Sequence, residues 1–271
     1  MTHEGILIGT VRALYRYPVK STAGQALRTA HVTAGGLQHD RKWAIYTEDG
    51  GIASGKRTRR FRPVSGLMQW SSRVGDEHDI PILVSPDGVQ YRADDAAASQ
   101  SLSEVFDQQL NLRHETTIQH HDETPLHLVT TSSLAALAGL TGLPVDERRF
   151  RANLIIDTGT EPDFVEDHWI GAELVIGDEV RLQLGQGMPR CVMVDQPQRG
   201  VAAEPKTPKL LGPHHDTTFG LQAHTIRTGV IRIGDSVVLR TGNVDNLEET
   251  GSMKTSQQSN SRYWGTGGDP W

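Results

Sequence analysis

The sequence predicts an α+β, mainly β protein built on a closed or partly closed barrel. Three observations carry this. Short apolar runs recur between Gly, Pro and Asp punctuation along most of the chain. Two tetrads, Ser85-Pro86-Asp87-Gly88 and Ile176-Gly177-Asp178-Glu179, have the composition of hairpin turns. Helical periodicity is confined to two segments, too few to cover both faces of a doubly wound parallel sheet.

In chain order, strands are expected at 5–15, 27–32, 42–47, 80–84 and 89–92. A helix is expected over 94–110, where Leu102, Val105, Phe106 and Leu110 fall at helical spacing behind a polar first turn. A polar, His-rich loop at 119–124 then marks a seam, so a β-rich N-terminal domain over 1–120 is expected to pack beside a second domain over 121–241. The second domain opens with a strand at 126–130 and a helix at 132–139, which begins with the capping hydroxyls of Thr131, Ser132 and Ser133 and stops at Gly139. Further strands are expected at 153–157, 173–176, 179–184, 190–195 and 237–240. The tail over 242–271, rich in Gly, Ser, Thr, Asn and Gln without apolar periodicity, reads as disordered.

Composition narrows the function classes. The 271 residues are 36% hydrophobic and 22% charged, as in ordinary soluble proteins. With 27 Lys and Arg against 33 Asp and Glu, the net charge is −6, which argues against nucleic acid or a membrane surface as partner. No apolar run is long enough to cross a bilayer, and the N-terminus shows no secretory signal. With one cysteine, the expected location is the reducing cytoplasm. The run Lys56-Arg57-Thr58-Arg59-Arg60-Phe61-Arg62 is a local basic exception. It reads as a solvated loop that could meet an anionic small molecule.

The single thiol, Cys191, stands in Pro189-Arg190-Cys191-Val192-Met193-Val194. One thiol makes no intrachain disulfide and no all-sulfur zinc or iron–sulfur site. It can act as a nucleophile or ligate a metal that arrives in a preformed cofactor, and the charge of Arg190 favours its thiolate. The other reading, a small buried hydrophobe beside Val-Met-Val, stays open at this level. Three segments place polar groups at strand ends: Tyr15-Arg16-Tyr17-Pro18-Val19-Lys20-Ser21, Gly36-Leu37-Gln38-His39-Asp40-Arg41 and Arg149-Phe150-Arg151-Ala152-Asn153. Arg151 and Asn153 share one face of an extended chain. Lys, Ser, Arg and Asn converging from several strand ends would make an oxyanion or phosphate cradle. Each segment taken alone reads first as a structural ion pair. The runs His120-His121-Asp122-Glu123 and His214-His215-Asp216 invite a zinc or iron reading, but neither has a chelating spacing, and both read as solvated loops. No phosphate-binding P-loop, dinucleotide glycine fingerprint or Gly-x-Ser-x-Gly elbow is present.

These runs, in this order, resemble the MOSC proteins that carry an N-terminal MOSC β-barrel domain, relatives of the mitochondrial amidoxime-reducing component. The marks continue with Glu166-Asp167-His168-Trp169, Ile176-Gly177, Pro189-Arg190-Cys191, Thr218-Phe219-Gly220 and Ile233-Gly234-Asp235. The resemblance implies a MOSC-type barrel with peripheral helices and a molybdenum cofactor whose metal is ligated by Cys191, the expected catalytic residue. It implies cofactor contacts from Lys20, Ser21, Arg41, Arg151 and Asn153, from Thr130, Thr131 and Ser132 at a helix start, and from Arg190. The implied reaction is two-electron reduction of an N-hydroxylated or otherwise N-oxygenated small molecule. The chain has no flavin or iron–sulfur motif, so a separate donor protein, a flavin reductase or ferredoxin-like carrier, is expected. The alternative is a carrier of the cofactor, or of sulfur as a persulfide on Cys191, without turnover of its own. Two departures fall near the metal: Met188 stands where many relatives carry a second cysteine, and Val194-Asp195-Gln196-Pro197 is one residue shorter than the corresponding segment.

Overall fold

Strand β1 (Ile6–Arg16) opens the fold and is followed by the short strands β2 (Gln25–Leu27), β3 (Thr29–Thr33) and β4 (Gly36–Leu37). The structure, a computed structural model, describes residues 5–75, 79–203 and 206–240. Strands β5 (Trp43–Thr47), β6 (Ile52–Ser54), β7 (Phe61–Pro63) and β8 (Ser71–Arg73) lead to the hairpin of β9 (Ile82–Val84) and β10 (Gln90–Arg92). Helix α1 (Ala96–Phe106) and β11 (Leu110–His114) come next, then β12 (Leu126–Thr130), helix α2 (Thr131–Thr141) and β13 (Leu154–Asp157). The last elements are β14 (Glu173–Ile176), β15 (Val180–Pro189), helix α3 (Thr207–His215), β16 (Thr218–Arg227), β17 (Gly229–Arg232) and β18 (Ser236–Arg240).

Seven strands close a barrel in the order β13-β12-β16-β15-β14-β18-β1, with β1 pairing back to β13. Every neighbouring pair is antiparallel except β12 and β13. Parallel strands need a crossover, and α2 is carried on that crossover. Side-chain alternation then builds two cores from the same strands. Leu128, Leu154 and Ile156 fill the barrel with Val11, Leu174, Leu182, Leu221 and Val237. Val129 and Ile155, one residue out of phase, pack outside with Leu134 and Leu137 of α2, Leu211 of α3 and Phe219. A third core, with Val19, Ile45, Trp70, Leu83, Leu102 and Leu110, joins α1 to the small N-terminal sheets. The first strand in the sequence thus lies between β18 and β13, and β3 pairs with β17. All described residues fall within one compact unit.

The mainly β barrel with peripheral helices is the architecture read from the sequence. Particular elements differ. The apolar run 190–195 is not a strand: Cys191 is extended (φ −118°, ψ 178°), and Val192–Asp195 is a 3-10 turn. The first helix ends at Phe106, where Asp107 turns into the left-handed region, and Leu110 already belongs to β11. Helix α2 runs past Gly139 to a left-handed cap at Gly142. The tail over 242–271 lies outside the described residues.

Candidate functional site

Loops from opposite ends of the sequence meet at one mouth of this fold. Lys20 and Ser21 follow β1, Arg41 precedes β5, Ser54 ends β6 and Lys56 follows it. Arg151 and Asn153 precede β13, and Arg190 and Cys191 follow β15. All of these line one cavity of about 200 Å³. That is room for roughly a dozen water molecules, the scale of a multi-ring compound rather than a lone ion. Cys191 is exposed on it. The buried-hydrophobe reading of the thiol is therefore set aside.

Charge is the dominant property of the cavity. Lys20, Arg41, Lys56, Arg149, Arg151 and Arg190 line it, against two carboxylates, Asp122 and Glu123. The Asp122 carboxylate accepts from Lys20 Nζ at 2.5 Å and from Lys56 Nζ at 2.9 Å. Burial works to raise its pKa, yet the two ammonium groups outweigh burial and hold the carboxyl well below the usual range. Arg41 pairs with buried Asp40 and donates to the Arg151 carbonyl at 3.1 Å. Among the described residues, Arg151 and Arg190 hydrogen-bond to neutral groups and form no ion pair, and the carboxylates that act on them do so from further off. Arg151 donates to the Thr22 carbonyl at 2.7 Å and lies over the Tyr17 ring at 4.3 Å. Arg190 donates to the carbonyls of Phe219 at 3.0 Å and Phe150 at 3.2 Å, and also meets His127 Nε2. Burial accordingly pushes Lys20 down to about 8, Arg151 to about 10 and Arg190 to about 9. Buried cations so short of counter-charge are stabilised by an anion entering the cavity.

Backbone geometry marks the same residues. Ser21, Arg41 and Arg151 take positive φ of 65°, 52° and 54°, a region non-glycine residues rarely occupy and that costs about 1–3 kcal/mol each. The Ser21 hydroxyl, on a residue only 4% exposed, has no hydrogen-bond partner among the described residues. It is left for whatever fills the cavity.

Of the residues singled out in the sequence, Lys20, Ser21, Arg41, Arg151, Asn153, Arg190 and Cys191 are brought together here. Asn153 plays a different part from the others. Its Oδ1 accepts from the His127 amide and its Nδ2 donates to the Tyr15 carbonyl, both at 3.2 Å, so it splints strands beneath the cavity. Thr130, Thr131 and Ser132, the helix-start residues of that expectation, do not line the cavity. Thr130 Oγ1 and Ser133 Oγ both donate to Glu166 Oε2 at 2.6 Å, Thr131 donates to the Gly159 carbonyl at 2.6 Å, and Ser132 accepts from Thr158 at 2.9 Å. The carboxyl that satisfies this helix start is internal, so the hydroxyls have no need of a ligand.

Glu166 is fully buried, and its Oε1 has no hydrogen-bond partner among the described residues. Burial raises its pKa above the ordinary glutamate value, against the hydrogen bonds from Ser133 and Thr130 that pull it down. The stability this proton supplies is complete below the ordinary value and is drawn away as pH rises from there through the raised one. Glu166→Gln is expected to keep the hydroxyl contacts and flatten that decline. Urea midpoints measured for both proteins from pH 4 upward check this, and parallel curves would defeat the assignment.

Other site residues escaped the sequence reading. His120 and His121 are buried, not solvated: His120 bonds the Tyr46 hydroxyl at 2.9 Å and the Arg41 carbonyl at 3.0 Å. His215 pairs with Asp167 at 2.5 Å and stacks on Phe164. Asp195 does not face the cavity. Its carboxylate caps α3 by accepting from the amides of Lys206 and Thr207, each at 2.9 Å. Gln196 instead donates to the Gly55 carbonyl at 2.6 Å, tying the Cys191 segment to the β6–β7 loop. A Cβ at Gly55 would lie 2.1 Å from Gln196 Oε1 and 2.6 Å from Met193 Sδ. Both atoms end flexible side chains, so Gly55→Ala is expected to reshape the mouth without unfolding the protein. We expect an unchanged urea midpoint and an about tenfold higher KM for whatever substrate the site turns over.

Family models match this chain over both halves: the MOSC N-terminal beta barrel domain over residues 8–120 and the MOSC domain over 115–238. The chain belongs to the MOSC family. Within it, the chain is 24% identical to human mitochondrial amidoxime reducing component 2 over 85% of this chain and 83% of that protein. Bovine mitochondrial amidoxime reducing component 2 is 26% identical with the same coverage. Among solved structures, the YUAD protein from Bacillus subtilis aligns with a TM-score of 0.49 and 14% identity, covering 89% of this chain and all of that one. The cavity lies at the seam of the two MOSC segments, with Lys20 to Lys56 from the first and Asp122 to Val194 from the second. No helix among the described residues is long and apolar enough to cross a membrane.

Proposed function

We propose that this MOSC protein is a molybdenum-cofactor-dependent oxidoreductase that reduces N-hydroxylated or other N-oxygenated small molecules with electrons from a separate donor. The observation that carries the reading is the joining of an exposed soft thiol to a cavity lined by six cations. Soft thiolate suits molybdenum, and clustered Lys and Arg suit the phosphate of a pterin cofactor. The residues fit that group: Cys191 would ligate the metal, while Lys20, Ser21, Arg41, Arg151 and Arg190 would hold the phosphate and pterin, with the orphaned Ser21 hydroxyl completed. Asn153 positions this cradle from below.

The cofactor, when bound, supplies the two-electron chemistry at an oxygen-accepting metal. For a hydroxylamine the balance is R–NHOH + 2 e⁻ + 2 H⁺ → R–NH₂ + H₂O, in which the N–O bond breaks and the oxygen leaves as water. Lys20 holds one proton at Nζ that burial has made easier to release, with Asp122 in place to steady it. Lys56 and Met193 line the mouth, with Gln196 bonded to Gly55 beside them, and set what enters. The human and bovine relatives named above are called amidoxime reducing components, and their likeness over most of the chain supports a substrate of that class. A single exposed thiol suits a reducing compartment such as the cytosol.

A second reading, delivery of the cofactor or of persulfide sulfur, is favoured by the exposure of Cys191. Turnover separates the two. Protein purified from a host with an intact cofactor pathway is expected to hold about one molybdenum per chain at full loading. It is also expected to convert an aromatic amidoxime to the amidine with a chemically reduced viologen. A loaded protein that leaves the amidoxime untouched would be a carrier.

A further inference from the structure

The basic run 56–62, unabsorbed by the cavity chemistry except for Lys56, is a rigid loop with two unspent charges. Lys56 is held by Asp122 at 2.9 Å, Arg60 donates to the His121 carbonyl at 2.9 Å and Arg62 to Asp49 at 2.6 Å. Thr58 Oγ1 accepts from the amides of Arg60 and Phe61, both at 3.1 Å, which closes the turn. The Arg59 carbonyl accepts from Arg62 at 3.3 Å, but Arg57 and Arg59 are exposed and their guanidinium groups have no hydrogen bond or ion pair among the described residues. Their guanidinium groups therefore carry unneutralised positive charge outward from a loop that Lys56, Thr58, Arg60 and Arg62 tie down.

Their position gives them a use. Ser54 and Lys56 line the cavity on which Cys191 is exposed, and Gly55 is bonded to Gln196 of the Cys191 segment. Arg57 is the next residue, one Cα step of about 3.8 Å from Lys56. The chain as a whole carries −6, so two exposed arginines beside this mouth set a local positive field that attracts an acidic macromolecule.

We propose that Arg57 and Arg59 form the docking surface for an acidic electron-transfer protein that delivers electrons at the Cys191 mouth. The inference rests on the reductase reading and adds the surface and the charge of the donor to it. Each turnover draws two electrons, supplied by two successive encounters with a reduced one-electron carrier, which leaves oxidised each time. The N-oxygenated substrate is the oxidant, and the protons come from solvent.

The test compares holoprotein with its Arg57→Glu/Arg59→Glu variant, using two donors: a reduced acidic [2Fe–2S] ferredoxin and a zwitterionic, net-neutral reduced viologen. The wild-type rate with ferredoxin is expected to fall as salt is raised. The variant is expected to lose about 10- to 100-fold in kcat/KM for ferredoxin, to lose its salt dependence, and to keep its rate with the viologen. Equal ferredoxin kinetics in the two proteins, or a wild type that takes no electrons from ferredoxin while turning over with viologen, would overturn the docking surface. Loss with both donors would overturn it too, by making the loop a binding element for an anionic substrate. A wild type inert with the viologen would instead sink the reductase reading underneath.

Discussion

Cys191→Ala is expected to cut amidoxime turnover by at least about 100-fold and to hold molybdenum less tightly, with no change in fold. Losing a ligand weakens the hold on a metal even where a cradle still grips the rest of the cofactor, and losses of about 10- to 100-fold already follow from disturbing groups that only touch the ligands. The side chain is exposed, so truncating it opens no cavity, and its effect on stability should stay within about 0.5 kcal/mol. Nothing in the cradle leans on the sulfur either: Arg190 is held by the Phe219 and Phe150 carbonyls and by His127. The variant should therefore unfold at the wild-type urea midpoint and still bind anions in the cavity. Elemental analysis, turnover and a urea titration on the two proteins check the three parts separately. Wild-type molybdenum and turnover in the variant would remove Cys191 from the site.

How far this was legible in the sequence depends on which interactions each element needs. Hairpins announce themselves locally, and the β9–β10 and β14–β15 turns fall where Ser85-Pro86-Asp87-Gly88 and Ile176-Gly177-Asp178-Glu179 stand. Strand β15 runs past Leu184, where the expected strand over 179–184 ends. Register shifts between Leu184, Gly187 and Pro189 let it continue along β16 to the cavity edge. Strand β16 itself gave no signal. Gly220 sits in it at φ +74°, where an added Cβ would lie 2.2 Å from the Leu128 carbonyl oxygen, so the glycine marks a close backbone approach rather than a turn. The run 190–195 shows the opposite error: a short apolar stretch fits a strand or a turn equally until packing decides.

The candidate site divides along the same line. Lys20, Ser21, Arg41, Arg151, Arg190 and Cys191 lie in runs whose residue order is itself informative. Asp122 does not, since its meaning comes from Lys20, 102 residues away, and Lys56, 66 residues away. The resemblance implies cofactor contacts from Thr130 and its neighbours, and a hydroxyl-capped helix start is independently a sensible anion site. Their actual partner, Glu166, is 36 residues downstream of Thr130 and invisible to any local rule.

Asp40→Ala is expected to be the most destabilising single change near the cavity, at about 3–5 kcal/mol. Asp40 is 1% exposed and does two things at once. Its Oδ1 accepts from the Tyr17 amide at 2.7 Å, and its Oδ2 pairs with Arg41. Arg41 in turn donates its amide to the Tyr17 carbonyl at 2.8 Å, so one carboxylate locks the Lys20–Ser21 run to the arginine that faces it. Truncation strands a buried amide and removes the carboxylate paired with Arg41, leaving its guanidinium beside Arg151 with Asp122 acting on it from further off, and like charges then repel inside a low-dielectric wall. Asp40→Asn keeps an acceptor for Tyr17 and should lose less. The two variants differ in a second way that a general packing defect would not produce. Each adds one net positive charge to the cradle, so phosphate in the buffer should raise their urea midpoints more than it raises that of the wild type. If phosphate lifts all three proteins equally, the cavity is not reading anion charge, and the cradle loses its physical basis.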